Sequence, residues 1–178
     1  MRILSRGTPL IVLPLVVLGC EVTPPEAAFL PEDRVAIERL AQEFGGGVLA
    51  EDWEGVAGLF RTDAVMMPPE GPPVEGRPAI RSALEAGEPG VELTGMSVVT
   101  EEVDGGAFIA YARGTYEQHF SASTPDGDVV WTEEGSWLTV LRKDGIESEH
   151  PWGIHRHIWN SDLPAMPSDL PDVPPPAS

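Results

Sequence analysis

The side chains with the widest chemical range fall late in the chain. His155 and His157 stand two apart in the segment from Trp152 to Asn160, with Trp159 two further on. A strand's period of two puts these three on one side and Ile154, Arg156 and Ile158 on the other, and one of those sides must look inward. Two imidazoles at this spacing can share a proton-transfer task or a metal, with His119 joining from a neighbouring hairpin. A metal also needs third and fourth ligands in fixed geometry. Neither His150 nor any carboxylate is spaced to supply them, so no metal and no cofactor is expected. Upstream, Tyr111, Arg113, Thr115, Glu117 and His119 share one parity and form a polar row, which is either a solvated face or the lining of a pocket. Proton abstraction needs a desolvated carboxylate, for which Glu117 is a candidate, with oxyanion donors such as Tyr111 opposite it. Tyr111 and Tyr116 lie on opposite faces, so at most one serves inside. His155, His157, Glu117 and Tyr111 are therefore the acid-base candidates, and no complete base-plus-oxyanion set assembles from them. Asp63 and Arg77, near element ends, read as a cap or ion pair rather than catalysts.

Elements must carry these residues. Ile37, Leu40, Ala41, Phe44 and Val48 recur at helical spacing, and Glu32 and Asp33 sit in the first turn, where the helix dipole favours acids. Gly45-Gly46-Gly47 predicts a kink or early end, each interior glycine costing about 0.8–1 kcal/mol against alanine. Asp52 is placed to cap a second, short helix with Trp53, Val56, Ala57 and Phe60 on one face. A short strand from Ala64 to Met67 stops at Pro68-Pro69, and Arg77 to Leu84 forms a third helix with proline at its start. Beyond it come strand-like stretches 91–103, 107–121, 129–143 and 152–160, separated by Asp104-Gly105-Gly106, Asp126-Gly127 and Asp144-Gly145. This order predicts an α+β domain, a cone-shaped, curved antiparallel sheet packed against about three N-terminal helices. Trp137, Thr139 and Leu141 alternate with Leu138 and Val140, so both sides of that strand are partly apolar. A sheet covered on one face needs only one apolar side, and the surplus points to a second subunit, a homodimer.

With 178 residues and 42% apolar content the chain makes one ordinary domain. Eleven basic against 29 acidic residues give a formal charge of −18, which repels phosphate backbones and anionic headgroups, so nucleic acid is excluded as a partner. Arg2 and Arg6 precede an apolar run from Leu10 to Leu18, too short to cross a bilayer, that ends at Gly19-Cys20. Val17-Leu18-Gly19-Cys20 resembles a bacterial lipobox. On that reading residues 1–19 are a lipoprotein signal peptide, Cys20 is lipidated, and 20–30 tether a domain spanning 31–162. Residues 163–178, with six prolines, read as a disordered tail. The expected location is the cell envelope, extracytoplasmic and held by lipid alone, on the outer or plasma membrane according to cell type. Cys20 is the single cysteine, so the domain has no internal disulfide to support it.

Several segments also resemble a known family. Asp52-Trp53, Leu59-Phe60 with Asp63-Ala64-Val65-Met66-Met67-Pro68-Pro69, Gly76-Arg77, Ala112-Arg113-Gly114-Thr115-Tyr116, Gly135 with Trp137-Leu138-Thr139-Val140, and His155-Arg156 with Ile158-Trp159-Asn160-Ser161-Asp162 are similar to SnoaL-like domains. These belong to the ketosteroid-isomerase-like, nuclear-transport-factor-2-like superfamily, and the likeness runs from about Pro31 to Asp162. It implies a half-open cup whose mouth admits a small apolar molecule. Met66 and Met67 would form one wall, unless they only fill core, and Arg113, His157 and Trp159 are the other ligand-binding candidates. Trp53 and Trp137 read as core. The relatives usually carry an acidic residue where His157 stands, which weakens any transfer of an acid to that position. The superfamily also hosts isomerases, cyclases, hydrolases, dehydratases and noncatalytic association modules, so the fold leaves the activity open. The expected function is binding of a small apolar molecule without a cofactor; an acid-base enzyme and a protein-association module are the alternatives.

Overall fold

In the computed structural model, which describes residues 28–69, 71–87, 89–125, 127–143 and 151–162, proline at the first position and acids in the first turn open α1 (Pro31–Leu49). Rather than ending early, α1 continues through Gly45-Gly46-Gly47 to Leu49. Two of the three glycines permit close approach, while a Cβ on Gly46 would meet nothing within 4 Å. A Cβ on Gly45 would stand 2.8 Å from Val98 Cγ2, and one on Gly47 2.6 Å from Val56 Cγ2. What the helix loses in propensity is offset by packing against its neighbours. Asp52 caps α2 (Trp53–Gly58) as expected, its carboxylate accepting from the Gly55 amide at 2.9 Å. The chain then forms β1 (Phe60–Met67), the two-residue β2 (Val74–Glu75) and α3 (Arg77–Ala86).

Four long strands follow: β3 (Val91–Gly105), β4 (Ile109–Thr124), β5 (Gly127–Lys143) and β6 (Trp152–Ser161). Adjacent members of this meander pair antiparallel, and the sheet order is β2-β1-β6-β5-β4-β3. The sheet is mixed, the departure from the antiparallel expectation being β1, which pairs parallel with β6. That pairing is possible because helix α3 and the whole meander separate the two strands and supply the long crossover a parallel pair needs. The register shifts within β3, between Leu93 and Gly95 and between Thr100 and Glu102, and in β5–β6 between Val140 and Leu141. Such bulges add twist and bend strands whose length, at about 3.3 Å per residue, would otherwise outrun a small domain.

The helices fill the hollow of the sheet. Phe60, Ile37, Ile80, Leu141, Ile154 and Val56 are fully buried between the layers. One end is pinned by Asp33, 3% exposed, whose carboxylate accepts from Lys143 Nζ at 2.6 Å, Trp152 Nε1 at 2.9 Å and the Leu30 amide at 3.1 Å. Burial pushes this carboxyl up, but the three hydrogen bonds outweigh it and hold it below the usual range. Cys20, the signal-peptide and tail readings, most of the tether, His150, Asp126 and the turn at Asp144-Gly145 lie outside the described residues. Among those described, no helix is long and apolar enough to cross a membrane.

Candidate functional site

Small residues on β4 make room beneath α1. Ala110, Ala112 and Gly114 face inward, and so do Tyr116 and Gln118 on the same parity. Ala112, Tyr116 and Gln118 border a cavity of about 160 Å³. Ile37, Leu40, Ala41, Phe44 and Val48 of α1 roof it, and Trp137 and Leu141 of β5 with Ile154 of β6 form the floor. Burial falls along its length. Ile37, Ala112, Leu141 and Ile154 are buried, whereas Val48, Leu84, Met96, Val98, Gln118 and Trp159 are half-buried and ring the open side.

His157 is set into this wall. It is 7% exposed, and its ring centroid lies 5.2 Å from Phe44, 5.3 Å from Trp159 and 6.2 Å from Phe60. Thr139, its cross-strand partner, places Oγ1 2.7 Å from His157 Nδ1. Burial alone pushes the imidazole down to about 4, so it is neutral at pH 7. A neutral ring with one nitrogen engaged has the other left for a ligand. The remaining polar groups of the lining are more committed. Tyr116 donates its hydroxyl to Glu133 at 2.7 Å and approaches the Asn160 carbonyl at 3.2 Å. Burial and the Glu133 carboxylate push that phenol up, so it stays protonated. Gln118 Nε2 lies 3.8 Å from Met96 Sδ near the mouth.

The expected residues divide across the sheet. His157 and Trp159 line the cavity; His155 does not. The register shift in β6 pairs Leu141 with Ile154 and Val140 with Arg156, leaving His155 as the extra residue. The bulge breaks the period of two, so Ile154 and His157 both face in, and the reading that set His155 beside His157 is corrected. His155 Nδ1 lies 3.7 Å from Asp63 and 3.0 Å from Arg156, outside the cup, and burial with the neighbouring guanidiniums lowers its pKa.

Tyr111, Arg113 and Glu117 also leave the candidate site, because their parity opposes that of Tyr116. Tyr111 donates to Glu102 at 2.6 Å, Arg113 pairs with Glu102 at 2.6 Å and Glu101 at 2.9 Å, and Glu117 lies 3.0 Å from His119. The polar row is the solvated face. Met66 is core, 4% exposed, while Met67 alternates to the other side of β1, so neither lines the cavity. Arg77 donates to the Phe60 carbonyl at 2.7 Å, a structural tie. Trp137 is both core and floor, its indole donating to the Thr115 carbonyl at 3.1 Å, and Trp53 is half-buried. Among the described residues no group of three or more His, Cys, Asp or Glu is arranged to hold a metal. Sequence reasoning missed Thr139 and the Tyr116–Glu133 pair. The available signal was the parity of the small residues at 110, 112 and 114, which marks the inward face of β4 and places Tyr116 on it.

Cup, helical roof and mouth together define the class. The SnoaL-like domain family matches residues 31–157, and the chain belongs to that family. A ketosteroid isomerase-like protein from Erwinia carotovora atroseptica superposes with a TM-score of 0.63 at 20% identity, covering 76% of this chain and all of that one. A putative polyketide cyclase from Xanthomonas campestris pv. campestris gives 0.54 at 19% identity, covering 71% of this chain and 90% of that one. A protein of unknown function with a cystatin-like fold from Nostoc punctiforme gives 0.55 at 17%, covering 79% and 98%. At these identities the likeness establishes the fold and leaves chemistry to the site. Among curated proteins, none matches the chain.

Proposed function

We propose that the protein binds a small, largely apolar molecule in the cavity beneath α1. The observation that carries this reading is the hollow itself, about 160 Å³, roofed and floored by apolar side chains and open on one side. Close-packed interiors rarely leave a space of this size, and an apolar cavity of about 150 Å³ elsewhere stays dry and takes up benzene. General acid-base catalysis is the weaker reading. His157 is the one acid-base candidate from the sequence that reaches the cavity, and Tyr116, the nearest donor for an oxyanion, is engaged by Glu133.

The same proposal holds the domain outside the cytosol on a lipid at Cys20. The basic start, short apolar run and Val17-Leu18-Gly19-Cys20 support it. It also pairs two copies through the outer sheet face, where Leu138 and Ile158 are cross-strand neighbours at 41% and 43% exposure. Screening full-length Cys20→Ser protein against neutral apolar compounds by thermal shift tests the binding reading. Some member is expected to raise Tm in a concentration-dependent way; silence across chemically diverse sets contradicts it.

A further inference from the structure

The cavity has a chemical bias that its apolar walls conceal. Within its buried half the side chains with polar atoms are Thr139, Tyr116, His157 and Trp137, whose indole N–H is taken by the Thr115 carbonyl at 3.1 Å. Thr139 Oγ1 is turned onto His157 Nδ1 at 2.7 Å, and the Tyr116 hydroxyl onto Glu133 at 2.7 Å. The atom left over is Nε2 of His157, on a ring 7% exposed and wedged between Phe44, Phe60 and Trp159. Nε2 belongs to a side chain that lines the open cavity, and a polar atom shut off from water without a partner costs about 1–3 kcal/mol, so a wholly apolar ligand would impose that loss.

From this we propose that the natural ligand is a neutral, single-ring molecule with one hydroxyl or carbonyl, seated with that group on His157 Nε2 and its ring against Phe44 and Trp159. The proposal rests on the binding reading above and names the ligand class within it. Size sets the ring count: about 160 Å³ matches a space that elsewhere holds one benzene, and a fused polycyclic body would extend beyond the mouth. Charge is excluded because the buried wall offers neutral partners, and an anion would lose its water without gaining a countercharge. The polar group is required rather than tolerated, since sites built to hydrogen-bond a substrate reject the analogue that lacks the bond. A hydroxyl serves either tautomer of His157, donating to a bare Nε2 or accepting from Nε2–H.

The test uses phenol, toluene and benzoate, titrated calorimetrically into full-length Cys20→Ser protein and into the same protein carrying His157→Phe or His157→Gln. Phenol is expected to bind, toluene clearly more weakly, and benzoate at least 100-fold more weakly than phenol. The preference for phenol over toluene should shrink at least fivefold in His157→Phe and return in part in His157→Gln. Phenol, but not toluene, should move the ¹⁵N resonance of His157 Nε2, a response that packing alone would not give. Equal binding of benzoate and phenol overturns the proposal, as does a phenol preference unchanged in His157→Phe. If the phenylalanine variant fails to fold, an Nε2 resonance indifferent to phenol overturns it equally. Toluene binding without discrimination refutes this assignment while leaving the cavity a binding site; silence from all three compounds overturns both.

Discussion

His157 couples the stability of the domain to pH. Above its ordinary value of about 6.5 the ring is neutral in folded and unfolded chains alike, and contributes no pH dependence. Between pH 6.5 and about 4 the unfolded chain takes up a proton that the buried ring refuses, so stability falls as acid is added, by roughly 3 kcal/mol at the lower limit. His157→Phe keeps an aromatic ring among Phe44, Phe60 and Trp159 and should lose most of that sensitivity, read by urea denaturation at pH 7 and pH 4.5. Asp33 presents the opposite case, a buried charge whose partners are all in place. Asp33→Asn should cost about 2–4 kcal/mol in the same measurement, because Lys143 loses its counterion and Trp152 a strong acceptor. Tyr111→Phe and Glu117→Ala lie on the solvated face and should leave ligand affinity within about twofold; a larger loss would put that face back in the site.

At the scale of elements, glycine sets the distances. Gly135 faces Tyr116 across the β4–β5 pair, and a Cβ there would meet both the Asn160 carbonyl oxygen and the Tyr116 phenol. Gly135→Ala should therefore cost about 1–3 kcal/mol and displace Tyr116, visible as lowered Tm and altered tyrosine fluorescence. Much of the architecture was legible from periodicity alone: the three helices, the four long strands and the turns at Gly105 and Gly127 follow from spacing and turn chemistry. The continuation of α1 through three glycines was not, since only the neighbouring Val98 and Val56 make Gly45 and Gly47 useful. Nor was the side that His155 takes. A bulge is decided by how β5 and β6 register across the sheet, which a period of two along one strand does not contain. His157 and Trp159 survived as site residues because they lie beyond the bulge. Met66 failed because its side of β1 packs into the core rather than onto the cavity.

For the whole molecule, a formal charge of −18 opposes binding to phosphate backbones and anionic headgroups. If the outer sheet face joins two copies, Leu138→Lys should raise the dimer dissociation constant at least tenfold in analytical ultracentrifugation, with the fold unchanged by circular dichroism. If Cys20 carries the anchor, Cys20→Ser should abolish acyl labelling and move the protein to the soluble fraction. Both leave the cup intact, so ligand binding should persist in either variant. The most direct measurement is an experimental structure of the full-length Cys20→Ser protein soaked with phenol. The account predicts an open hollow of the size seen here, with the ring between Phe44 and Trp159 and its oxygen within hydrogen-bond distance of His157 Nε2. A hollow closed by collapsed side chains, with no density beside that nitrogen, would contradict it.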